Sequence, residues 1–76
     1  MKTKAITPEI LTFGSEEYAS LFMKAVDNTA SKTHITNTSI FRQEDQILIF
    51  ETKSIFLIEL GQEYQKLIQE IKSTND

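Results

Sequence analysis

The stretch QILIFETKSIFLIEL, residues 46–60, decides how this chain is read. Glu51, Thr52, Lys53 and Ser54 interrupt two apolar runs, Ile47–Phe50 and Ile55–Ile58. Short runs rich in isoleucine and phenylalanine, separated by polar residues, read as paired β-strands. With Thr52 and Lys53 as a two-residue turn, Phe50 faces Ile55, Ile49 faces Phe56, Leu48 faces Leu57 and Ile47 faces Ile58. Alternation then sorts the side chains onto two faces. Ile47, Ile49, Phe56, Ile58 and Leu60 share one, and Leu48, Phe50, Ile55 and Leu57 share the other.

Working outward, Gln43, Glu44 and Asp45 read as a polar turn after a β-branched segment, residues 34–42. A three-residue turn adds Ile35 and Phe41 to the first face, and His34, Thr36, Thr38 and Ile40 to the second. A one-residue slip of either loop exchanges the faces. Upstream, Ser15 can cap a helix whose first turn carries Glu16 and Glu17, the charge that the helix dipole favours. Tyr18, Leu21, Phe22, Ala25 and Val26 then fall on one stripe, which predicts a helix over 15–28. Gly61 stops the last strand, and Tyr64, Leu67, Ile68 and Ile71 form the stripe of a second helix reaching about residue 73.

The first 13 residues read two ways. Thr7-Pro8-Glu9 resembles a helix start, while Ile10, Leu11 and Phe13 suit a short strand beside the sheet; a short helical turn or irregular segment is the expectation. The predicted class is therefore α+β, with helix, three-stranded antiparallel meander and helix (αβββα) in two layers. The expected organisation is an N-terminal segment, 1–14, packed on a single domain, 15–73, with a frayed tail at 74–76.

The totals narrow function. Seventy-six residues make one domain, and the absence of cysteine excludes disulfides and thiolate metal sites. Neither apolar run is long enough to span a bilayer, and no apolar segment follows Lys2 and Lys4 to make a signal peptide. A cytoplasmic protein is expected. Net charge is −3, and the lysines at 2, 4, 24, 32, 53, 66 and 72 are scattered, with Arg42 the single arginine. Nucleic-acid binding draws on clustered cations, so it is not expected. His34, the one histidine, has no partner in the pattern that would make it a general base, and the carboxylates show no metal-ligand spacing. No catalytic, cofactor-binding or metal residues are assigned.

The helix, three strands, helix order is similar to that of double-stranded RNA-binding domains, which implies recognition of RNA by shape. Those domains begin their last helix with a lysine-rich segment, whereas this one begins Gln62-Glu63-Tyr64-Gln65 with Lys66 alone. RNA binding is thus an alternative reading, as is a ligand-binding or enzymatic homodimer.

Two amphipathic helices can cover one face of a three-stranded sheet, which leaves the second face open. Each large apolar side chain left in water forgoes roughly 1.5–3 kcal/mol, and a cluster of them marks an interaction surface. The expected function is a small non-enzymatic protein-binding module: an adaptor, subunit or inhibitor of a larger protein. It is expected to self-associate as a homodimer through the exposed sheet face or edge. The expected interface residues are Thr36, Thr38, Ile40, Leu48, Phe50, Ile55 and Leu57. Residues 4–13 folded across that face would close it instead.

Overall fold

The computed structural model describes residues 7–35 and 39–74. Five elements follow in order: β1 (Glu9–Thr12), α1 (Glu16–Thr33), β2 (Ile40–Gln43), β3 (Gln46–Ile49) and α2 (Ser54–Thr74). The α+β class, with two helices and one three-stranded antiparallel sheet, is as the sequence led us to expect. The order of elements is not. The third strand comes from residues 9–12, and the segment 54–60 opens α2.

The sheet order is β1-β3-β2, with β3 antiparallel to both neighbours. The two edge strands therefore run in the same direction, and α1 is the crossover between them, with β3 inserted in the gap. This is a split β-α-β arrangement rather than a meander. Because β1 occupies the edge of β3 that residues 54–60 were expected to take, that segment continues into the helix behind it. The likeness to double-stranded RNA-binding domains, which rested on the αβββα order, goes with it.

Local chemistry explains α1. Gly14 takes φ 75°, a left-handed conformation that glycine adopts without strain. Ser15 is extended, and its hydroxyl accepts from the Glu17 amide at 3.2 Å. At the far end His34 adopts φ 61° and donates its backbone N–H to the Ala30 carbonyl at 2.9 Å. His34 is thus the exposed left-handed cap of a helix rather than the first residue of a strand. The helix outruns its expected end by five residues, because tertiary contacts hold a last turn built from weak helix formers. Thr29 is fully buried, Asn28 Nδ2 donates to Glu63 Oε2 at 3.0 Å, and Lys32 Nζ lies 3.6 Å from Glu63 and 3.9 Å from Glu59. As α1 advances from 28 to 32 its partners retreat from 63 to 59, so the helices are antiparallel.

In α2 the buried positions are Phe56, Leu60, Glu63 and Leu67, spaced i, i+4, i+7, i+11 on one helical face. Phe56 has no exposed surface, whereas Ile58, expected beside it on a strand, is 61% exposed. The core joins these residues to Ala19, Phe22, Ala25 and Val26 of α1 and to Ile40, Ile47 and Ile49 of the sheet. At one end Phe13, Phe22 and Tyr64 close an aromatic triangle, with ring centroids 5.1–5.9 Å apart. Pairs at such distances add stabilisation beyond their buried area.

Candidate protein-interaction surface

The β2–β3 turn sets which side chains reach the outer face of the sheet. Gln43 pairs with Gln46, so the loop is the two residues Glu44 and Asp45 rather than three. Glu44 takes φ 58°, the positive value that two-residue hairpin loops require at their first position. Arg42 Nε steadies the turn by donating to the Glu44 carbonyl at 2.9 Å. Shortening the loop by one residue exchanges the faces of β2. Ile40, expected at an interface, is buried in the core, and Phe41, expected in the core, is 50% exposed on the outer face.

Ile10 of β1 pairs with Leu48 of β3, and Leu48 pairs with Phe41 of β2. Directly paired residues project from the same face. These three therefore form an apolar row across the whole sheet, on the side away from buried Ile47 and Ile49. Phe50, two residues beyond Leu48, extends the row, and its ring meets Phe41 edge-on at 5.8 Å. Its amide donates to the Ser39 carbonyl at 2.8 Å, which carries the β2–β3 pairing one step past the strands. On the other side of the row Thr12, Gln46 and Gln43 make a polar margin, with Gln46 Nε2 3.5 Å from Thr12 Oγ1. Among the described residues of the three strands, none on this face is charged. Glu9 and Arg42 share the register of Ile49 and Ile47 and so project to the helix side, where Arg42 lies 3.7 Å from Glu16.

The expected interface residues thus divide. Leu48 and Phe50 lie together on the outer sheet face, half-buried by their neighbours. Ile55 and Leu57 are on no strand; they are exposed, at 58% and 37%, on the first turns of α2. Ile40 is core, and Thr36 and Thr38 fall outside the described residues. Sequence reasoning missed Ile10, Phe41 and Ile58. Phe41 was recoverable from the alternative register, and Ile58 from the helical period that links Phe56, Leu60 and Leu67.

The buried polar groups belong to the helix pair. Glu63 is held by Asn28 and Lys32, and Thr29 Oγ1 is buried with no hydrogen-bond partner among the described residues. Burial, and secondarily the neighbouring Tyr18, push the Tyr64 phenol above its ordinary 10.0. Among the described residues no three His, Cys, Asp or Glu side chains gather to hold a metal ion, and no helix is long and apolar enough to cross a membrane. No family model, characterised protein or solved structure matches the chain.

Proposed function

We propose that this chain is a small non-enzymatic protein-binding module, an adaptor, subunit or inhibitor acting in the cytoplasm, that associates first of all with a second copy of itself. One observation carries the reading: large apolar side chains stay exposed in groups, although a quarter of the chain is charged. Ile10, Phe41, Leu48 and Phe50 make one such patch on the outer sheet face, and Ile55, Leu57 and Ile58 make another on α2. Scattered exposed apolar residues need no explanation, but contiguous ones do.

A second copy suits these patches on charge grounds. A chain of net charge −3 repels its like, so copies meet most readily where neither presents a charge. Each patch is only three or four large side chains, short of the ~800 Å² per partner in a standard stable complex. Association is therefore weak, with a dissociation constant on the order of 10–100 μM. The scattered lysines support the exclusion of nucleic acid, since phosphate contacts need clustered cations.

Light scattering across ~5–500 μM tests the proposal against typical weak affinities. The expected mass rises from one chain toward two, and a constant monomer mass over that range contradicts self-association.

A further inference from the structure

Gly61 sits in the eighth position of the 21-residue helix α2. Glycine is the poorest helix former after proline, so its place there calls for a reason. Among the described residues there is none. Gly61 is not among the residues with positive φ, it is exposed, and a Cβ added to it would meet nothing within 4 Å. Alanine would fit this position among the described residues and favour the helix more.

The surroundings of Gly61 supply what the chain itself does not. Ser54, Leu57, Ile58, Gly61 and Gln65 follow at i, i+3, i+4, i+7 and i+11, which places them along one face of the helix. From Ser54 to Gln65 that face carries no charge, and Lys72 joins it two turns further on. The nearby carboxylates Glu59 and Glu63 are drawn toward α1 by Lys32 and Asn28. Leu57 and Ile58, both exposed, flank the glycine one turn before it. A bare backbone between two large apolar side chains is a notch that lets a second helix approach closely.

We propose that this face of α2 is the seam of the self-association, with two copies of α2 crossing at Gly61. The inference rests on the protein-binding reading above and names its contact. A second copy is the fitting occupant because a two-fold crossing sets glycine against glycine. Both backbones are then free to approach, with Leu57 and Ile58 of each helix packed beside the other. The uncharged stretch around Gly61 also meets its like without repulsion. The outer sheet face, with Phe41 and Phe50, takes no part in that contact.

Mass against concentration for three variants tests this, using the full chain. Ile58→Glu weakens the dimer at least tenfold while keeping the monomer's circular dichroism, because Ile58 is exposed in the free chain. Gly61→Ala shifts two readouts in opposite directions: the dilute monomer melts at higher temperature, and association weakens severalfold. Phe41→Glu leaves association unchanged. If Ile58→Glu and Gly61→Ala associate like the parent while Phe41→Glu does not, the seam is the outer sheet face, and this inference fails alone. A parent chain monomeric at all concentrations overturns the functional reading as well.

Discussion

Residues 56 and 58 discriminate between helix and strand at the start of α2, through side chains two positions apart. On a strand Phe56 and Ile58 would project from the same face and be buried together. In the structure Phe56 has no exposed surface, whereas Ile58 points away from the core and is 61% exposed. Truncating a fully buried phenylalanine to alanine costs about 3–5 kcal/mol, combining lost transfer energy with the cavity left behind. A domain of this length has a total stability of roughly 4–11 kcal/mol. Phe56→Ala therefore removes about a quarter of it at least, and can unfold the chain outright. Ile58→Glu changes an exposed side chain and stays within about 1 kcal/mol. Urea titrations followed by circular dichroism at ~5 μM, well below the expected dissociation constant, measure both without interference from association. If Ile58→Glu destabilises the chain as much as Phe56→Ala, residues 54–60 are not helical and the argument for α2 collapses.

Three further outcomes follow from particular side chains. Thr29→Val raises stability by about 1–2 kcal/mol in the same titration, because it removes a buried hydroxyl that has no partner and keeps the side chain's shape. Ser15→Ala lowers it by about 1 kcal/mol through loss of the α1 cap. Tyr64, whose phenol is pushed upward in the fold, favours the folded state fully while it is protonated. That contribution is constant below pH 10.0 and is lost as the pH rises through the higher folded value. Urea midpoints should fall across this alkaline window, and Tyr64→Phe should flatten the fall.

How much of this was legible in the sequence follows from where its patterns were unambiguous. The stripe from Tyr18 to Val26 has one period, and the cap before it has one chemistry, so α1 was readable from its start. Its last turn was not, because Asn28, Thr29 and Thr33 are weak helix formers held by Glu63 and the core, which no local pattern encodes. Residues 54–60 are apolar on every side, and a run of that length fits a buried strand and a helix equally well. What decided between them was a distant competitor: Glu9–Thr12 takes the edge of β3. The interface residues suffered from the same two causes. Leu48 and Phe50 were placed correctly because β3 alternates cleanly. Ile40 and Phe41 exchanged roles through a turn one residue shorter than assumed, and Ile55 and Leu57 stayed exposed while their element changed type.

Amide chemical shifts followed on dilution from ~500 to ~10 μM, a span that brackets weak self-association, test the central claim most directly. The account predicts that shifts move with concentration, that the movements concentrate on residues 54–65 of α2, and that the core strand β3 stays still. Spectra identical at both ends of that range would contradict self-association, and movements centred on Ile10, Phe41 and Leu48 would transfer the contact to the outer face of the sheet.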